Sequence, residues 1–337
     1  MLMTFWIEGR KVNISASIGY FSIYDKSLSA DDVLGNVAFA LQTAKGKGGH
    51  CAVAFSQELR AEFAAMQDLQ MELQDALGAG QIEPWFQPQI NLNDGTLRGA
   101  EVLARWRHPT RGLLTPDKFL PAAERAGLIV DMDHAIWSSA INLAESWQQS
   151  GLWYPKISLN AAPDTISDPY LIERFLKRIH QTALCVDQVV VEVLEMTLIE
   201  SANDMAAINI DSLAECGIDL ELDDFGTGYA SLSRLIQLPL AGLKLDRSLV
   251  APLPDPNADS VVRAILALAN ELGLHVVAEG IEEDTHATHL RKSGCAIGQG
   301  YGFGRPMPAD QFADWVKSYD KRLLPSPSDG TAAAMRA

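Results

Sequence analysis

Carboxylates recur at the ends of apolar runs along this chain, and in one place they are doubled. The stretch ELDDFGTGYAS, residues 221–231, sets Asp223 beside Asp224 and then turns through glycine. Comparable runs carry Glu101 in GAEVLARW, Asn160 near the end of PKISLNA and Glu195 at the close of QVVVEVLE. Lys244 and Asp246 stand in AGLKLDR, Glu279 in LHVVAEG and Gln299 in CAIGQGY. Several carboxylates around one opening repel one another unless cations lie between them. All-oxygen donors without His or Cys select a hard ion, Mg²⁺ or Mn²⁺, over zinc. Two aspartates turned into one cavity can serve two ions held about 4 Å apart, the separation used for in-line phosphoryl displacement.

Taken alone, ELDDFGTGYAS fits a surface turn, a kinase-type metal loop or one corner of a larger metal site. A kinase also needs a G-x-G-x-x-G loop, a V-A-I-K-type lysine and an H-R-D loop. None occurs, and GQGYGFG near residue 300 has glycine at every second position instead. The seven histidines fit no zinc spacing, and HATH (His286, His289) reads as a helix surface. Gly226 and Gly228 are placed to let the backbone take positive φ or approach a ligand.

These residues need a frame that brings them together. Short apolar runs alternate with amphipathic segments such as DHAIWSSAINLAESWQQ and DSVVRAILALANELG, which implies parallel strands joined by crossover helices. Near eight repeats over roughly 250 residues, the pattern predicts an α/β fold of the (β/α)8 TIM-like type, whose C-terminal strand ends converge on one mouth. Before it, residues 1–57 read as strand, helix and short strand, with Ser29 or Asp31 as the helix N-cap. That is a poor independent core, and reads as a fragment of a domain. A linker helix is expected over 58–72, the barrel over 73–322 and a disordered tail over 323–337.

The chain has 337 residues, 47% of them hydrophobic, and a formal net charge of −16. That balance argues against nucleic-acid polymers or anionic membrane as partners. The four cysteines lie far apart and read as reduced thiols. No signal peptide is visible and no uncharged run approaches the roughly 18 residues of a membrane span, so a cytoplasmic location is expected.

Several motifs resemble one family in the right order. EVLARWRHPTRGLLTPDKFLPAAERAGLI resembles the signature segment of EAL domains, with EVL in place of EAL. SLNAA, LEMT, DDFGTGYASLSRLIQLPLAGLKLDRS, VVAEGIE and GCAIGQGYGFGRPMP complete the likeness over residues 73–320. The resemblance implies hydrolysis of cyclic di-GMP to linear pGpG with two divalent ions, Mg²⁺ or Mn²⁺. It also implies Glu101, Asn160, Glu195 and Asp223 as ligands of one ion, and Asp223 with Asp224 at the second. Lys244 resembles the lysine beside the attacking water, Asp246 its neighbour near the ions, and Glu279 and Gln299 later positions around ions and substrate. Gln87, Leu103 and Arg105 resemble nucleotide contacts. A homodimer is implied as well.

There are departures. Leu198 stands where an E-x-T-E pattern starting at Glu195 has its second glutamate, a residue that anchors the DDFGTG loop; Glu200 lies two residues further on. Ala296 replaces an aspartate common in GCD. The Leu198 departure keeps open an EAL-type receptor that binds cyclic di-GMP without cutting it. NISASIGYFSIYDKSLSADDVLGNVAFALQTAKGKGGHCAVAF resembles the last part of a GGDEF domain without its GG[DE]EF motif.

Overall fold

The computed structural model describes residues 2–7, 10–23, 28–46, 49–152, 156–194, 204–226 and 235–319. Glu195, Leu198, Glu200, Gly228 and the tail 323–337 lie outside the described residues. The chain divides into two compact units, Met1–Glu72 and Leu73–Ala337. Among the described residues no helix is long and apolar enough to cross a membrane.

In the first unit β1 (Leu2–Ile7) pairs antiparallel with β2 (Arg10–Ser15), and β3 (Ile18–Tyr20) pairs in parallel with β4 (Ala52–Ala54). The helix Ala30–Gly46 lies between β3 and β4 in the chain. It starts from Ser29, whose hydroxyl accepts from the Asp32 amide while Asp32 accepts from the Ser29 amide, a reciprocal cap that satisfies two end donors. Asp31 takes no part in that cap. The helix Gln57–Gly78 follows β4 in the chain, and the boundary between the two units falls within its residues.

The second unit is a closed barrel. Its strands are β5 (Ile82–Asn91), β6 (Leu97–His108), β8 (Ile157–Ala161), β9 (Val189–Leu194), β10 (Asp219–Phe225), β11 (Gly242–Leu245), β12 (His275–Ala278) and β13 (Ile297–Gln299). From β6 to β13 the pairings are parallel, as the alternation of runs and helices predicts. β5 closes the ring and runs antiparallel to both of its neighbours, β6 and β13. Two short strands, β7 (Gly112–Leu114) and β14 (Met307–Pro308), add to β6 and β5.

The expectation of uniformly parallel strands is therefore corrected at β5. Its link to β6 is a tight turn at Asp94–Gly95, where Asp94 accepts from the Thr96 amide and hydroxyl, instead of a crossover helix. Pro84 and Pro88 cannot donate to a ladder, yet the strand tolerates them. Neither has a registered partner on the β13 and β14 side, where pairing falls on residues 85–86 and 89–91. Pleating sends Phe86 outward against Trp147 (4.7 Å) and Phe312 (5.6 Å), while Gln87 and Gln89 reach Gln299 inside.

Candidate functional site

Lys244 organises the barrel interior. Its side chain is 1% exposed, and its Nζ lies 2.7 Å from Glu279, 2.8 Å from Glu192, 3.1 Å from Asp223 and 3.5 Å from Glu101. Burial disfavours an ammonium, but these carboxylates outweigh it and hold the lysine well above its ordinary range. One cation cannot neutralise so many anions. Burial and then the neighbouring charges push the Glu279 carboxyl up to about 7, despite its contact with Lys244. Four strands thus deliver carboxylates to one point, and the remaining negative charge invites further cations.

Asp223 and Asp224 belong to an interruption of the strand. The β10–β11 register shifts between Leu222 and Phe225, and Asp224 takes φ +56°, in the left-handed region that Asp tolerates better than most residues. A bulge of this kind re-aims side chains, which explains how neighbours with alternating directions face one cavity. The Asp224 amide donates to Asp223 Oδ1 at 3.0 Å. One carboxylate oxygen from each of Asp223, Asp224 and Glu279 lies within 4.8 Å of the others. Burial, then Asp223 and Asp246, raise the Asp224 carboxyl. Gly226 follows at φ +106°, where a Cβ would lie 2.5 Å from the Leu249 side chain.

Other expected residues join the same interior. Asn160 donates to Glu101 Oε1 at 3.0 Å and to the Val102 carbonyl at 3.3 Å. Gln299 donates to Glu101 and to Gln87 Oε1 and accepts from Gln89. A cleft of about 230 Å³ is lined by Gln87, Glu101, Leu103, Asp223, Glu279 and Gln299, among others, with Arg247 and Tyr301 also on its wall. Asp246 is occupied locally, accepting from the Ser248 amide at 2.9 Å as an N-cap. Arg105 stands outside the residues lining this cleft. Its guanidinium donates to the Ala104 carbonyl and lies 5.7 Å above the Trp85 ring.

The main residue that sequence reasoning missed is Glu192. It interrupts the valines of β9 in register with Asn160 on β8, and its Oε2 accepts from Lys244. Its Oε1 is buried without a hydrogen-bond partner. Burial, then the crowding by Glu101, Asp223 and Glu221, pushes its carboxyl well above the usual range against the pull of Lys244. The signal was a lone charge inside VVVEVL, which has no place in an apolar core unless it is paired.

Two further residues hold the backbone around Asn160. Trp137 Nε1 donates to the Asn160 carbonyl at 2.9 Å, and half-buried Asp133 accepts from the Ala162 amide and the Thr165 hydroxyl just beyond it. A second cavity, of about 320 Å³, opens between Trp137, Met132, Leu120, Leu103 and Asn160. It is apolar and abuts the acidic cluster through Glu101 and Asp223.

A (β/α)8 barrel with acidic and amide side chains gathered at its interior defines the class. The sequence profile of the EAL domain family matches residues 70–306, and the chain belongs to that family. The cyclic di-GMP phosphodiesterase NbdA of Pseudomonas aeruginosa is 34% identical over 316 residues, 93% of this chain and 40% of NbdA. The bifunctional diguanylate cyclase/cyclic di-GMP phosphodiesterase MucR of the same organism is 33% identical over 308 residues, 90% of this chain and 44% of MucR. The chain thus spans less than half the length of these relatives. A solved structure of the PaMucR phosphodiesterase in complex with c-di-GMP superposes with a TM-score of 0.69 at 34% identity, covering 73% of this chain and 99% of that one.

Proposed function

We propose that this chain hydrolyses one phosphodiester bond of cyclic di-GMP to give linear pGpG, using two divalent cations, Mg²⁺ or Mn²⁺. The observation that carries the reading is the convergence of Asp223, Asp224 and Glu279 within 4.8 Å beside Lys244. The similarity to NbdA and to the PaMucR complex supports the substrate. The donor set fits hard cations, because it is all oxygen and one buried oxygen, Glu192 Oε1, has no partner. Glu101, Asn160, Glu192 and Asp223 would hold one ion; Asp223 and Asp224, with Asp246 nearby, the other. Bound there, such ions supply Lewis-acid activation of water and of the phosphate.

The chain's own groups do the rest. Water adds to phosphorus as the bond from phosphorus to the ribose O3′ breaks, and the Glu279 carboxylate, beside Asp223 and Asp224, takes the water proton, which is then returned to the departing O3′. Lys244 stays protonated and orients the attacking water by donation. Gln87, Leu103 and Gln299 border the nucleotide on the cleft wall, with Arg105 beyond them, and the apolar cavity suits a guanine base.

With Glu192 as the ligand from β9, Glu195 follows three residues later, at the spacing of the family's second glutamate. Leu198 then replaces nothing, and the case for a non-cutting receptor loses its main support. Residues 1–57 are read as the closing part of a degenerate GGDEF domain. A cytoplasmic homodimer is the proposed assembly.

Incubation with cyclic di-GMP and Mn²⁺ or Mg²⁺, followed by chromatography, tests the activity. The expected product is pGpG, lost on chelation and in Glu101→Ala. Tight nucleotide binding without turnover under both metals would replace the enzyme with a receptor.

A further inference from the structure

Beneath the acidic cluster lies a second polar contact that the proposed reaction does not use. Glu192 on β9, Glu221 on β10, Gly242 on β11 and His275 on β12 are successive register partners, so they share one face of the sheet, in a row that the strand tilt carries from the middle of β9 down to the start of β12. Glu192 meets Lys244 on that face, which identifies it as the interior. His275 is the first residue of β12, whereas Glu279 follows the strand's far end, so His275 sits at the floor of the barrel.

Gly242 has no side chain in this row, and the His275 ring fills the space. A Cβ on residue 242 would lie 2.4 Å from His275 Nε2. The ring passes over β11 and reaches Glu221 Oε1 at 2.6 Å. Glu221 is 1% exposed, and its Oε2 is buried without a partner, as is Glu192 Oε1 on the adjacent strand. Two register-paired carboxylates thus face one interior, each tied by one oxygen only: Glu192 to Lys244 and Glu221 to His275.

We propose that His275 and Glu221 are positioning residues, a floor latch that keeps Glu192 on Lys244 with its free oxygen available to a divalent cation. The inference rests on the reading of Glu192 as a metal ligand. Without the imidazole, Glu221 is a buried carboxylate with no donor, the costly case for an ion inside a protein. Lys244 stands two residues beyond Gly242 on the same face of β11 and is the donor within the chain's own cluster. Glu221 turning toward it withdraws the hydrogen bond that aims Glu192. Partners that orient metal ligands without touching the ion act in this way.

Calorimetric titration of the whole chain with MnCl₂, without nucleotide, tests the latch. Glu192→Gln and His275→Leu are each expected to weaken Mn²⁺ binding about 10-fold or more, while His275→Gln, whose amide can still donate to Glu221, stays within about threefold of wild type. A role confined to stability would lower the melting temperature of His275→Leu and leave its Mn²⁺ affinity unchanged; that result overturns the latch. If His275→Leu does not fold, His275→Asn, too short to reach Glu221, takes its place with the same expected loss. Failure of the wild-type chain to take up Mn²⁺ removes the metal reading and the latch together. Loss in Glu192→Gln with full affinity in His275→Leu removes the latch alone.

Discussion

On β5, Phe86 packs 4.7 Å from Trp147 outside the barrel, while its neighbour Gln87 bonds Gln299 inside it. The same contrast runs along β9, where Val191 and Val193 are fully buried and Glu192 between them meets Lys244. One face of each strand is packed for stability. The other holds amides and charges that are costly to bury and must be paired or liganded. Stability and chemistry are therefore separated by the pleat, one residue apart, and substitutions on the two faces should have opposite signatures.

The largest effect is expected from the inner face. Asp223→Asn keeps the side-chain shape but removes charge shared by the proposed ions, and should lower turnover about 10³-fold, some 4 kcal/mol of transition-state stabilisation. Melting of the metal-free protein should change little. A large loss of stability with turnover retained in the folded fraction would erase the distinction between the faces. Phe86→Ala is the counterpart: it should cost about 3–5 kcal/mol in denaturant unfolding and leave the rate of the folded enzyme nearly unchanged.

Asp133 sharpens the comparison through pH. Burial raises its carboxyl to about 6, against the hydrogen bonds from Thr165 and Ala162. Between about pH 4 and 6 the folded protein keeps a proton that the unfolded chain has released, so stability falls as pH rises through this window, by up to about 3 kcal/mol. Both hydrogen bonds fall on one oxygen, Oδ2, which an Asn carbonyl can replace. Asp133→Asn should therefore melt higher than wild type at pH 8, with the gain shrinking toward pH 4. A gain independent of pH would refute the assignment. The smallest effect is expected from Leu198→Glu, which should leave turnover within about twofold if Glu195 is the loop glutamate.

Much of this was legible in the sequence, for physical reasons. Glu101, Asn160, Asp223, Lys244, Glu279 and Gln299 stood out as polar residues in apolar runs, and the structure brings them into one interior. The alternation of runs and helices predicted the barrel. β5 escaped because Pro84 and Pro88 break the look of a strand, and because its inward residues are amides with no charge to mark them. Its antiparallel direction is set by the short turn at Asp94–Gly95. Glu192 escaped because Glu195 occupies the apparent end of the same run, and only the pairing of Glu192 with Asn160 shows which level of the barrel it reaches. The Glu221–His275 contact was invisible, since it depends on the absence of a side chain at Gly242, one strand away from each partner.

Glu192 and the Asp223–Asp224 pair are the proposed holders of the cations. Anomalous diffraction from crystals grown with Mn²⁺ tests that assignment most directly. Two peaks are expected within the barrel mouth, with Glu192 Oε1 about 2.2 Å from one and Asp223 contacting both. Mn²⁺ bound by Glu195 while Glu192 stays on Lys244 alone, or no ordered Mn²⁺ between these carboxylates, would contradict it.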